Sequence, residues 1–225
     1  YGIITRIICE SLEELGIAGR AIGLAGVGCS YGSKPLHIDV DWISCPHGRA
    51  PAMATAIKRI HPDAIVFTAQ GDGDLGAIGI GAFMSALLRG EKLTTIFLNN
   101  AGYGQTGGQM APTTIMGMRT TTTSEGRNET HGYPLHAAEL AASMKGVAYS
   151  ARVSVNTPAN FQRAKKAVKT AFQKQIDRTG YGFVEFLSAC PSVWGLSPVD
   201  CLTFIAENMI AEYPLGEFKN LNSPE

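Results

Sequence analysis

Short apolar runs alternate along this chain with longer stretches whose apolar positions recur every three to four residues, a pattern that predicts an α/β fold. Ala64-Ile65-Val66-Phe67-Thr68-Ala69 and Leu93-Thr94-Thr95-Ile96-Phe97-Leu98 read as buried parallel strands, with the amphipathic stretch from Leu75 to Leu88 as the crossover helix between them. Ala21 to Val27, Val147 to Val153 and Phe183 to Leu187 read as further strands, the last of them closing the core. Helices are expected over Ile3 to Leu15, Ala50 to Ile60, Leu135 to Met144 and Pro198 to Tyr213. Thr157 to Ile176 reads as a strong helix, with a Thr-Pro start. Arg119 to His131, with its run of threonines from Thr120 to Thr123, reads as a long functional or subunit-facing loop. The polar tail after Pro214 is expected to lie on a partner.

At the end of the first buried strand stands Gly71-Asp72-Gly73-Asp74, and at the end of the next stands Asn99-Asn100. A right-handed crossover brings the carboxyl ends of neighbouring strands together, so Asp72 and Asn100 can face one small ion. Mg²⁺ takes oxygen ligands in near-octahedral geometry, and here Asp72 supplies charge and Asn100 a neutral carbonyl. Gly71 and Gly73 let the backbone approach a diphosphate, and the helix start that follows aims amide donors at it. Gly-Asp-Gly alone is an ordinary turn; the paired asparagines one strand–helix–strand unit later change the reading. The arrangement resembles the thiamine diphosphate (ThDP) motif, whose relatives use the main-chain carbonyl two residues past the last side-chain ligand, here that of Gly102, as a third metal ligand.

The segment Tyr103-Gly104-Gln105-Thr106-Gly107-Gly108-Gln109-Met110-Ala111-Pro112-Thr113-Thr114 narrows the family. With Gly26-Val27-Gly28-Cys29-Ser30, His47-Gly48-Arg49-Ala50 and Glu185-Phe186-Leu187-Ser188-Ala189-Cys190-Pro191, it resembles the ThDP-binding β subunit of 2-oxoacid:ferredoxin oxidoreductases over nearly the whole chain. The resemblance implies a ThDP-binding fold, a mainly parallel sheet with helices on both faces, formed as a single domain over residues 1–225. It also implies oxidative decarboxylation of a 2-oxoacid to an acyl-coenzyme A, with electrons passing through a 4Fe-4S cluster to ferredoxin. Gly71, Asp72, Gly73 and Asp74, Asn100, and Tyr103, Gly104, Gln105 and Thr106 would surround the cofactor, with Mg²⁺ on Asp72, Asn100 and Gly102. Ile43, Ser44, Cys45 and His47 would line its ring side, with Ile43 as an apolar wedge. His47 would also be a proton-moving group, although a satisfied structural histidine is the rival reading. Arg49 could pair with an anion or simply lie at the surface.

Composition removes some alternatives. Five widely spaced cysteines do not make a disulfide framework, and free cysteine otherwise packs as a small hydrophobe. The resemblance gives Cys29 and Cys190 as cluster ligands, and a 4Fe-4S cluster takes four thiolates. The family's other pair, a Cys-x-x-Cys ahead of the first helix, does not precede Tyr1 in this sequence. An upstream segment beyond the given residues and a lost cluster are both open readings, and the missing initiator methionine favours the first. The formal net charge is zero and only 17% of residues are charged, which points to no nucleic-acid or anionic-membrane partner and suits burial against other subunits. No apolar run reaches transmembrane length and the first residues lack a signal-peptide pattern, so a cytoplasmic location is expected.

Enzymes of this kind use an α subunit that supplies the ylid-forming glutamate, with gamma and ferredoxin-like delta subunits, and act on a 2-oxoacid and coenzyme A. No glutamate here stands in a motif for that role, so the chain alone is expected to be catalytically incomplete. A non-oxidative ThDP-dependent lyase or decarboxylase is the alternative, and a non-catalytic diphosphate-binding module is a third. Pyruvate, branched-chain 2-oxoacids and 2-oxoglutarate all stay open as substrates, with Gln105 making the pocket more polar and the Trp194 segment resembling the latter two groups more.

Overall fold

The computed structural model describes residues 1–29 and 37–222. Ser30, at the end of the quoted Gly26–Ser30 segment, and residues 223–225 lie outside them. A seven-stranded sheet forms the centre, built from β1 (Ala21–Ala25), β2 (Asp41–Ser44), β3 (Ile65–Gly71), β4 (Thr94–Asn99), β5 (Val147–Ser154), β6 (Tyr181–Leu187) and β7 (Gly216–Asn220). Their order is β2-β1-β3-β4-β6-β5-β7, and every pairing is parallel except that of β7 with β5. The expected mainly parallel sheet with helices on both faces is therefore present.

Successive strand residues point to opposite faces, so each central strand feeds two cores. Phe67, Ile96, Val184 and Phe186 pack under the Gly2–Glu14 and Pro158–Ile176 helices, meeting Ile4, Ile8, Val168 and Phe172. Val66, Phe97 and Phe183 face the other way, onto Ala54 of the Ala50–Ile60 helix, Phe83 and Leu87 of the Ile80–Arg89 helix, and Ala138. The Thr157 hydroxyl accepts the Asn160 N–H at 3.1 Å and Pro158 follows it, which fixes the start of the long helix.

Two expectations are corrected. The helix expected from Leu75 to Leu88 is two pieces, Asp72–Gly76 and Ile80–Arg89, because the chain at Gly79 folds back against the Asp74 carbonyl and Gly48. The tail after Pro214 opens with a strand of this sheet: β7 pairs antiparallel with β5, and the Leu221 N–H donates to the Ala148 carbonyl at 2.8 Å. Phe183 to Leu187 is thus not the last strand of the sheet. The Arg119 to His131 loop turns one side chain inward, for Arg127 is buried and its guanidinium donates to the carbonyls of Ala111, Pro112, Thr114, Gly132 and Tyr133.

Arg152 on β5 is fully buried, paired with Glu185 on β6 at 3.0 Å and with Glu139, and lies over the rings of Tyr213 and Phe218. Burial raises the Glu185 carboxyl, while Arg152 and the Asn99 amide, 2.7 Å away, oppose that rise. Removing one member of a buried pair strands the other charge. Arg152→Met is therefore expected to lower the unfolding free energy by about 3–5 kcal/mol in urea titrations. Arg152→Met combined with Glu185→Leu should recover much of that loss, and equal losses in both variants would show that the pairing is not what stabilises this edge.

Candidate functional site

The strand order changes direction between β1 and β3, the chain running outward to β2 and then back across β1. Ligands of open α/β sheets bind in the crevice at such a point, beyond the carboxyl ends of the strands. A cleft of about 420 Å³ opens there, lined by Val27 to Cys29 after β1, His47 after β2, Gly71 to Asp74 after β3, and Asn100 and Gly102 to Thr106 after β4, together with Tyr1.

Asp72 is buried at its base. It accepts the N–H groups of Asn100 at 3.2 Å and Gly102 at 2.9 Å and the Thr113 hydroxyl at 2.8 Å. Burial nevertheless pushes its carboxyl up to about 7, against the pull of those hydrogen bonds. The Asn100 side-chain oxygen points at the Gly102 carbonyl oxygen, 2.8 Å away, and at Asp72 Oδ2, 3.1 Å away, with no proton between them. Two chemistries satisfy three oxygens so placed. The amide can turn over and donate to both acceptors, or one cation can be held by all three. The donor set, a carboxylate and two neutral carbonyls, fits Mg²⁺. Asn100 is itself fixed by its neighbours, since the Trp194 indole donates to its main-chain carbonyl at 3.0 Å and its amide nitrogen lies 2.8 Å from the Tyr1 hydroxyl. Asn99 points the other way, bonded to Glu185 and, through its side-chain oxygen, to the N–H of Ala101, whose φ is 58°.

Asp74 does different work. Its Oδ1 accepts from His47 Nδ1 at 2.6 Å, the Gly48 N–H at 2.8 Å and the Val27 N–H at 3.1 Å, and its Oδ2 accepts from the Gln70 amide at 2.6 Å. One carboxylate thus ties together the loops after β1, β2 and β3. A Cβ on Gly26 would sit 2.1 Å from Asp74 Oδ2, so only glycine allows this approach. Gly73 is required in the same way, because the Tyr103 ring lies where its Cβ would be, 1.8 Å from the ring edge. Burial raises the Tyr103 hydroxyl, with Asp72 adding to it. Gln105 and Thr106 lie at the exposed mouth, where the Thr106 hydroxyl donates to Gln109 at 2.7 Å.

Cys29 and Cys190 are far apart in sequence, yet both sulfurs lie against Gly104, 3.2 and 3.3 Å from where a Cβ would stand there. Burial raises the Cys190 thiol. Two thiols are half of the donor set that a 4Fe-4S cluster takes, and among the described residues no group of three or more histidine, cysteine or acidic side chains comes together. The other cysteines lie apart. Cys9 faces the His37 carbonyl, Cys201 is buried in its helix, and Cys45 is buried in the core with its thiol pushed up to about 12 by burial. Cys45 therefore does not line the cleft. Ile43 packs against the same core, and Ser44 is exposed at the end of β2, so within this chain only His47 of the segment from Ile43 to His47 reaches the cleft. Arg49 lies at the surface and donates to the Ile78 carbonyl at 3.3 Å.

Three contributors went unnoticed in the sequence. Thr113 stood inside the quoted Gly- and Thr-rich segment, but nothing in the pattern separated it from its neighbouring threonines. Arg127, which clamps the Ala111–Thr114 turn that carries Thr113, sat in the stretch read as a functional or subunit-facing loop, where nothing singled it out. Tyr1 carries no sequence signal at all, and burial raises its hydroxyl strongly where it meets Asn100.

Comparison with known proteins identifies the family. Residues 26–186 match the family model "Thiamine pyrophosphate enzyme, C-terminal TPP binding domain". Ketoisovalerate oxidoreductase subunit VorA of Methanothermobacter thermautotrophicus is 42% identical over 98% of this chain and 46% of its own length. Subunit KorB of 2-oxoglutarate synthase from Methanocaldococcus jannaschii is 34% identical over all of this chain and 86% of its own. The chain thus spans about half the length of the VorA relatives and most of that KorB. A solved 2-oxoglutarate:ferredoxin oxidoreductase from Magnetococcus marinus, with 2-oxoglutarate, coenzyme A and succinyl-CoA bound, shares the fold at a TM-score of 0.80 and 24% identity, over 99% of this chain and 79% of that one. The chain belongs to the thiamine pyrophosphate enzyme family, and within it to the β subunits of the 2-oxoacid:ferredoxin oxidoreductases.

Proposed function

We propose that this chain holds ThDP through Mg²⁺ bound to Asp72, Asn100 and the Gly102 carbonyl, and serves as the cofactor-carrying part of a ferredoxin-dependent 2-oxoacid oxidoreductase that forms an acyl-coenzyme A. The reading is carried by the buried Asp72 carboxylate, whose hydrogen bonds do not offset its burial and which stands with the Asn100 amide and the Gly102 carbonyl at the base of the cleft. When bound, ThDP supplies the electron sink for decarboxylation of the 2-oxoacid. The chain's own residues bind and orient it. Asp72 contributes the charge, Gly71 and Gly73 the close backbone, Tyr103 a wall, and Gly104, Gln105 and Thr106 the mouth.

Cys29 and Cys190 supply two ligands of a 4Fe-4S cluster next to the cleft, and the other two thiolates come from outside the described residues. The exposed Val27 and Ile78, near the cleft rim, suit cover by an α subunit that brings the ylid-forming glutamate, with gamma and ferredoxin-like delta subunits relaying electrons to ferredoxin in the cytoplasm. Among the described residues that line the cleft there is no lysine or arginine to pair with a second substrate carboxylate. Together with the 40–42% identity to ketoisovalerate subunits, this favours a branched-chain 2-oxoacid over 2-oxoglutarate.

Asp72→Ala in the assembled enzyme should abolish Mg²⁺-dependent ThDP binding, read by calorimetry, with the far-UV circular dichroism unchanged; wild-type affinity in that variant would sink the metal assignment. Cys29→Ser and Cys190→Ser should each lower bound iron and bleach the cluster's visible absorption, and an iron content equal to wild type in both would remove the cluster reading. Across a panel of 2-oxoacids, kcat/KM for 2-ketoisovalerate should exceed that for 2-oxoglutarate by at least about tenfold, since an unpaired buried carboxylate costs more than about 1.4 kcal/mol. The reverse order would overturn the substrate reading.

A further inference from the structure

The buried Asp74 carboxylate bonds to no cleft ligand in the reading above, yet it contacts a side chain that lines the cleft. His47 Nδ1 lies 2.6 Å from Asp74 Oδ1, the imidazole is 42% exposed, and the carboxylate is fully buried. The two remaining donors to Oδ1, Gly48 N–H and Val27 N–H, are main-chain groups and fix the carboxylate's orientation, and Gln70 holds Oδ2. A carboxylate cannot donate, so the His47 nitrogen facing it must carry the proton.

We infer that Asp74 is the positioning residue for His47, holding the imidazole as its Nδ1–H tautomer so that Nε2 faces the cleft as a proton acceptor for the bound reactants. The inference rests on the cleft being the ThDP site and assigns His47 a chemical form within it. A proton taken from a reactant goes to Nε2 and makes an imidazolium, whose second N–H already points at Asp74. That second N–H stays 2.6 Å from the carboxylate, which its main-chain donors hold in place. The arrangement also explains why a carboxylate, rather than an amide, stands at this position. Main-chain donors alone could be satisfied by an asparagine oxygen, but the charge that favours imidazolium could not.

Gln70 makes the test clean. Its Oε1 is buried without a partner, whereas its amide nitrogen bonds Asp74. In Asp74→Asn the Gln70 amide can turn over and accept from the new NH₂, so the loops stay tied while the charge is lost. The assembled enzyme carrying Asp74→Asn, His47→Gln or both is compared with wild type at saturating ThDP and Mg²⁺, with occupancy read by calorimetry, so that differences in turnover are read with the site filled. Turnover should fall about 100-fold in His47→Gln and about tenfold in Asp74→Asn. The double variant should be no slower than His47→Gln alone, because the two act through one group. In wild-type enzyme labelled with ¹⁵N-histidine, His47 should carry its proton on Nδ1. Multiplicative losses in the double variant, a proton on Nε2 in the wild type, or near-normal turnover of His47→Gln would each overturn the inference. If the wild-type complex bound no ThDP–Mg²⁺, the cofactor reading would fall on that result alone; the tautomer spectrum tests the Asp74–His47 pairing without any cofactor.

Discussion

A carboxylate taken out of water must be met by donors or the fold loses several kcal/mol, and the end of β3 buries two of them within three residues. The site follows from how those two demands are met. Asp74 draws its donors from the turns after β1 and β2 and from Gln70 on β3, so three strand ends cannot move independently. Asp72 draws from the turn after β4 and from Thr113, which brings the Gly-rich segment over the cleft. The glycines at 26 and 73 are the steric counterpart of this arrangement, since a side chain at either would push Asp74 or Tyr103 out of place. Asp72 differs in one respect: its hydrogen bonds do not offset its burial.

Much of the architecture could be read from periodicity because it depends on local rules. Apolar runs such as Ile65 to Ala69 are continuous since both faces of the sheet are covered, and the Thr157-Pro158 start marks its helix by capping chemistry alone. What escaped the sequence depends on contacts between distant segments. Helical periodicity continues through residues 77 to 79, so the break there is invisible until Asp74 and Gly48 are known to press on Gly79. The polarity of residues 216–220 hid a strand because one side of an edge strand faces solvent. Arg152 and Arg127 are enclosed by carboxylates, aromatic rings and carbonyls contributed from elsewhere, which no local pattern announces.

The site divides along the same line. Asp72, Asn100 and Gly102 stand at fixed offsets from two strand ends, and the crossover rule alone brings them together. The placement of Cys29 and Cys190 against Gly104 required the resemblance, because no local pattern relates a turn after β1 to one after β6. Ile43 and Cys45 show how little sequence adjacency says about side-chain direction: both pack against the core while His47, two residues after Cys45, lines the cleft.

The antiparallel strand at the far side of the sheet has a bearing on solubility during assembly. Parallel sheets form slowly and leave open ladders of N–H and C=O groups on which a second molecule can grow. β7 covers one such ladder with a strand bearing Glu217 and Lys219, and at the opposite margin β2 is only four residues long. Neither border offers a long flat template, so a chain that has yet to meet its other subunits is guarded against stacking on copies of itself.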